Sequence, residues 1–167
     1  MRFLGALMIF ACSSLGGVFL GQRRKQAAHE CEAFLELFRY VRSQIEYFET
    51  PTKLIWRGFE NACLERSGFL KALATRESGE IYIDAFTCVF DETKDRFFMC
   101  AEAKSLVRSF GSVIGKSAAD EQINSIDYHI EQMKRITESE KEAARRDEKL
   151  YLTLGISLGA VLFLMII

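Results

Sequence analysis

Apolar residues recur three and four apart along most of this chain, the spacing of helices that bury one face. Over residues 22–49 the stripe is Cys31, Phe34, Phe38, Val41, Ile45 and Phe48, broadened by Leu35 and Leu37. Thr50 and Pro51 then read as the N-cap and first position of a second helix, where a missing N–H removes no hydrogen bond. Its buried face carries Leu54, Ile55, Phe59 and Cys63. Ser67-Gly68 breaks the chain before a short helix bearing Leu70 and Leu73, and Ser78-Gly79 opens another with Ile81, Ala85, Cys88 and Val89 inward. Residues 81–90 also fit a strand, but no partner strand is evident, so helix is preferred. A further helix starts near Asp95 or Cys100, carries Leu106, Val107 and Phe110, and stops at Gly111 or Gly115, both suited to a C-cap. From Ser117, with Asp120 three places on, a last helix aligns Ile123, Ile126, Ile130 and Met133 and becomes polar all round over 137–149.

Both ends are apolar. Residues 3–21 and 150–167 are nineteen and eighteen residues without a charge. The shorter is about 27 Å as helix, enough to cross the hydrocarbon core. Each is expected to be a transmembrane helix. A cleaved signal peptide or a lipoprotein modified at Cys12 are the rival readings of the first segment. The basic cluster that follows it and the lack of a clear small-x-small cleavage site favour an uncleaved anchor. Arg23, Arg24 and Lys25 adjoin the first segment and Lys141, Arg145, Arg146 and Lys149 the second, against Arg2 alone on the far sides. The positive-inside rule then places the 128 residues from Gln22 to Lys149 in the cytoplasm. Small residues at helical spacing, Gly17 and Gly21 in one segment and Gly155 and Gly159 in the other, are expected to let the two spans, or spans of neighbouring copies, pack closely in the bilayer.

The expected fold class is therefore all-α, an antiparallel bundle of about six helices between an N-terminal and a C-terminal transmembrane helix. Its divisions are 1–21, 22–149 and 150–167. Residues 22–29 and 137–149, both poor in large apolar side chains, are expected to pair as stalks below the bundle. With 22 basic against 23 acidic residues, the chain offers no basic face for nucleic acid. His29 and His129 have no acidic or cysteine cluster at metal spacing around both, and none of the five cysteines forms a C-x-x-C pair. The cysteines read as small buried hydrophobes, and most of the fourteen phenylalanines as core. No phosphate loop, dinucleotide fingerprint or nucleophile elbow is present. Neither cofactor, metal nor catalytic residue is expected, and the chain is not read as an enzyme. Glu77, Glu80, Asp84, Asp91, Glu92 and Asp95 make the middle acidic, whereas Arg39, Arg42, Lys53 and Arg57 make the junction after the first stripe basic.

Three motifs carry a resemblance. The run from Gln44 through Ile45, Glu46, Tyr47, Phe48 and Glu49 to Thr50-Pro51, the segment Phe110-Gly111-Ser112-Val113-Ile114-Gly115 with Gln122 seven places later, and Leu154-Gly155 with Gly159 resemble the stage III sporulation protein AB family of endospore-forming bacteria. Order, spacing and terminal segments agree over essentially the whole chain. The resemblance implies a likeness to the cytoplasmic domain of the type II secretion and type IV pilus inner-membrane platform protein. It also implies membership of the channel complex between mother cell and forespore, with a secretion-type ATPase and the complex's other membrane proteins as partners. On that view Tyr47, Thr50 and Pro51 set the junction between the first two helices, Gly111 and Gly115 the turn into the last helix, and Gln122 is a contact candidate. A membrane-tethered helical sensor or adaptor is the alternative.

Overall fold

The structure is a computed structural model that describes residues 2–48, 56–76, 82–114 and 119–166, with no strand among them. Six α-helices are described: α1 (Arg2–Phe48), α2 (Ala62–Arg66), α3 (Phe69–Arg76), α4 (Tyr82–Thr93), α5 (Ala101–Val113) and α6 (Ala119–Ile166). Two 3-10 turns, Trp56–Gly58 and Lys94–Arg96, lie between them. The fold is all-helical, and the segment open to a strand reading lies in α4. Contacts divide the chain into one unit of Met1–Gln26 with Ser139–Ile167 and another of Ala27–Glu138.

The larger unit is built around aromatic rings. On α1 the described part of the expected stripe is buried: Cys31, Phe34, Phe38 and Val41 fully and Ile45 half, with the Phe48 side chain outside the described residues. Phe34 sits edge-on to Phe69, Phe90 and Phe97, with ring centroids 5.5, 5.8 and 5.3 Å away. Phe38 stacks on Phe110 of α5 at 3.7 Å. Trp56 and Phe69 flank Phe86 of α4 at 5.2 and 5.4 Å. Each fully buried phenylalanine contributes about 1.5–3 kcal/mol, and edge-on pairs somewhat more. On α6, Ile126 and Met133 are fully buried and Ile123 is half-buried.

Two expectations about elements are corrected. The helix expected to run from Pro51 through Cys63 does not: Phe59 and Glu60 are non-helical, and Asn61 starts a new helix. The Asn61 side chain accepts from the N–H groups of Cys63 (3.0 Å) and Leu64 (3.3 Å), a true N-cap. Its amide also donates to Glu36 of α1 at 2.9 Å, so a tertiary contact fixes the break. The buried anchors here are Trp56 and Leu64, with Phe59 and Cys63 only partly covered. Leu54 and Ile55 lie outside the described residues. Among the described residues of α4, Phe86, Val89, Phe90 and Thr93 are buried, whereas Cys88 is exposed and Ala85 intermediate; Ile81 lies outside the described residues. Of the described cysteines only Cys31 is buried, so the expectation of uniformly buried thiols fails too.

Gly68 ends the short α2 with φ of +79°, a left-handed conformation that costs a residue with a Cβ about 1 kcal/mol. Arg96 donates to the Ser67 carbonyl at 3.0 Å beside it, supplying a partner for the helix end. Among the described residues no helix is long and apolar enough to cross a membrane. Most side chains of residues 3–21 and 150–167 fall outside that description.

Candidate functional site

The buried polar side chains of the larger unit join helices to one another. Glu30, 2% exposed, shares the buried side of α1 with Phe34. Its carboxylate accepts from the backbone N–H groups of Phe98 (2.6 Å) and Met99 (3.0 Å). Charge-assisted bonds of this kind are about twice as strong as neutral ones. They hold the connector before α5, whose N-cap residue Cys100 has no side-chain cap bond, and they leave the Phe98 ring exposed.

A second clasp joins α5 to α6. His129 is buried, and its Nδ1 lies 2.7 Å from the Ser125 carbonyl oxygen, so that nitrogen carries the proton. Its Nε2 lies 2.9 Å from Ser109 Oγ, which is also 3.1 Å from the Leu106 carbonyl oxygen. A serine beside an imidazole is part of a hydrolytic arrangement. Ser109 is inside α5, however, where the backbone N–H groups around it already bond within the helix and cannot receive an oxyanion. The pair therefore acts as an interhelix hydrogen bond.

A third contact is ionic. Arg42 donates from Nε to Asp127 at 2.5 Å and from Nη2 at 3.2 Å, a two-point grip of α1 on α6, and also pairs with Glu46. The hydrogen bond to Asp127 holds the Arg42 guanidinium above its ordinary pKa, against the opposing effect of desolvation. Between α4 and α5, Asp91 accepts from Arg108 at 3.0 Å, and it also accepts from Lys94 at 3.2 Å. The Arg108 bond is the main cause that lowers the Asp91 carboxyl below its usual value. No group of three metal-ligating side chains occurs among the described residues.

The residues singled out from sequence are only partly described. Tyr47 is 72% exposed near the end of α1. Thr50, Pro51 and Gly115 lie outside the described residues. Gln122 is buried, 7% exposed. Gly111 is not a turn residue: it lies inside α5, which continues to Val113. A Cβ there would stand 2.3 Å from Phe86 Cδ1, so the missing side chain is what lets α4 and α5 meet. In the smaller unit a Cβ on Gly21 would lie 3.9 Å from the Glu148 Cα. Gly155 and Gly159 follow Glu148 by seven and eleven places, two and three turns along the same face of α6. Gly17 lies in α1, with its surroundings outside the described residues.

Two residues were missed that carried a signal. Glu30 lies four places before Phe34 and next to Cys31, a charge on an apolar stripe. His129 sits three places after Ile126 and one before Ile130, again on a buried face. A polar residue at such a position must find an internal partner, because leaving it unpaired costs about 1–3 kcal/mol.

The described residues thus define an all-helical scaffold whose buried polar groups fasten α1, the connector before α5, α5 and α6 together. The chain belongs to the stage III sporulation protein AB family, whose model matches residues 2–167. Neither a curated protein nor a solved structure matches it. Membership points to a role in sporulation.

Proposed function

We propose that this chain is a membrane-anchored platform of the sporulation channel complex between mother cell and forespore, and that it is not an enzyme. Residues 3–21 and 150–167 are its two spans, and the domain between them lies in the cytoplasm on the mother-cell side. That domain docks a secretion-type ATPase, while the spans contact the other membrane proteins of the complex. The observation that carries this reading is the family match over residues 2–167, which takes in both apolar ends as well as the helical head. The two uncharged terminal segments and the cations beside them support the membrane part. The clasps that tie α1 to the connector before α5, α5 to α6, α1 to α6 and α4 to α5 support a scaffold role, since a part that transmits position must hold its helices in fixed register.

The test is purification of the full-length chain from membranes of sporulating cells. The expected result is retention in the bilayer after alkaline carbonate, protection of the head from protease outside intact cells, and co-purification of the ATPase. A carbonate-soluble chain would refute the anchoring, and an ATPase absent from the intact complex would refute the docking.

A further inference from the structure

In the unit of Met1–Gln26 with Ser139–Ile167, charge is sorted by face in a way that residue order hides. Over 139–149 the chain alternates four cations, Lys141, Arg145, Arg146 and Lys149, with four carboxylates, Glu140, Glu142, Asp147 and Glu148. Three of the carboxylates meet cations of α1. Asp147 lies 3.2 Å and Glu140 4.0 Å from Arg24, and Glu148 lies 2.7 Å from Lys25. Arg145, Arg146 and Lys149 are exposed instead. Among the described residues Arg145 and Lys149 make no ion pair, and Arg146 meets only Glu142 at 3.9 Å with both side chains more than 70% exposed. An exposed pair of that length is worth little.

The same exposed side of α6 changes character within one residue. After Lys149 it continues as Leu150, Thr153, Leu154, Ser157 and Val161, spaced one, three or four apart, with the leucines and valine 56–58% exposed. A second observation places the boundary at the same height. Gly21 meets Glu148, so Phe19, two residues before Gly21, is level with Leu150, two residues beyond Glu148. Phe19 is exposed and lies under the Arg23 guanidinium, 4.8 Å from ring centroid to cation. An aromatic ring beside a cation is a common pairing at the headgroup level of a bilayer.

We propose that this face of α6 is a binding site for an anionic phospholipid. Arg145, Arg146 and Lys149 hold the headgroup phosphate, and Leu150, Leu154 and Val161 lie along its acyl chains. The two guanidiniums suit phosphate because each offers a planar fork of donors. The pairing of Asp147, Glu148 and Glu140 with α1 matters as much, because it draws away three of the four carboxylates that would otherwise repel the lipid and leaves only Glu142 beside Arg146. This inference rests on reading residues 150–167 as a span, and adds which lipid that span selects and through which side chains.

The experiment uses the full-length chain reconstituted in phosphatidylcholine bilayers with and without phosphatidylglycerol, then extracted for native mass spectrometry of retained lipid. Wild type is expected to retain phosphatidylglycerol in preference to phosphatidylcholine. The triple variant R145Q/R146Q/K149Q is expected to lose about fivefold in that preference per cation removed, roughly a hundredfold in all. K134Q/R135Q, which removes two exposed cations from the head portion of α6, is expected to match wild type, and circular dichroism checks that each variant keeps its helix content. A wild type without preference, or a triple variant that keeps it, overturns the site while leaving the span intact. Loss of the wild-type chain from the bilayer in alkaline carbonate overturns the span reading and the site with it.

Discussion

Gly111 gives the sharpest test of how the head is packed. Replacing a glycine inside a helix with alanine ordinarily stabilises by about 1 kcal/mol, because alanine leaves less backbone freedom to lose. Here the new methyl group would begin 2.3 Å from Phe86 Cδ1, 2.9 Å from Thr87 Oγ1 and 3.1 Å from Phe86 Cε1. Normal carbon contact is about 3.5–4.0 Å, so the ring or the helix must move by about 1 Å. Thr87 can adjust its rotamer, but Phe86 cannot move freely. It is buried with Trp56 at 5.2 Å, Phe69 at 5.4 Å and Phe110 at 5.9 Å around it. Overpacking a closed core costs about 1–3 kcal/mol, and a displacement of this size belongs at the upper end. Gly111→Ala is therefore expected to destabilise by about 1–2 kcal/mol, opposite in sign to the helix-propensity effect.

The assay is urea unfolding of the full chain in detergent, followed by Trp56, the single tryptophan, which lies beside the affected ring. A double-variant cycle removes ambiguity. Phe86→Ala alone is expected to cost about 3–5 kcal/mol, but with the ring gone Gly111→Ala should recover its usual gain, giving a coupling of about 2–3 kcal/mol. A Gly111→Ala chain more stable than wild type, or costs that simply add in the double variant, would refute the close-approach explanation.

Other expectations follow from the clasps. Glu30→Ala should cost about 3 kcal/mol or more in urea unfolding, since two backbone donors lose a charged acceptor, whereas Glu30→Gln, which keeps an acceptor oxygen, should cost less than half as much. For Asp91 the folded carboxyl is lowered, so its stabilisation is present above the unfolded value near 4 and disappears as pH falls through the folded value. Asp91→Asn should remove that acid-side dependence while changing stability at neutral pH by under about 1 kcal/mol, because the Arg108 partner is well exposed. Arg42→Ala with Asp127→Ala should show a coupling of about 0.5–1 kcal/mol that falls with added salt. If Ser109 is only an interhelix partner of His129, a fluorophosphonate probe should leave it unlabelled, and labelling at Ser109 would overturn that assignment.

How far the residues announced this fold depends on whether a signal was local. The α1 stripe, the break at Gly68 and the helical character of α4 follow from periodicity and from glycine's access to positive φ, and all three are present. The break at Phe59 and Glu60 was hidden because Asn61 owes part of its capping role to Glu36, twenty-five residues earlier. Cys88 was misplaced because cysteine scores as apolar, whereas the three larger side chains of α4, Phe86, Val89 and Phe90, define the buried face. Gly111 illustrates the same limit from the other side. A glycine that ends a helix and one that admits a neighbouring ring look alike in a sequence, and only the position of Phe86 separates them.

Charge shows the difference between order and arrangement most plainly. Over 139–149 cations and carboxylates are equal in number, and read along the chain this stretch looks neutral and solvated. Folding α6 against α1 breaks the balance. Arg24 and Lys25 draw Asp147, Glu148 and Glu140 toward one side, and Arg145, Arg146 and Lys149 are left facing outward. The cations that adjoin the two uncharged terminal segments thus divide into two groups with different surroundings. Arg24 and Lys25 hold the two helices in register, and the α6 trio is available to an external anion. Reversing Arg24 to Glu should accordingly harm both functions at once. It would repel Asp147 and Glu140 from α1, and the carboxylates released would lower the phosphatidylglycerol preference even though Arg145, Arg146 and Lys149 remain unchanged.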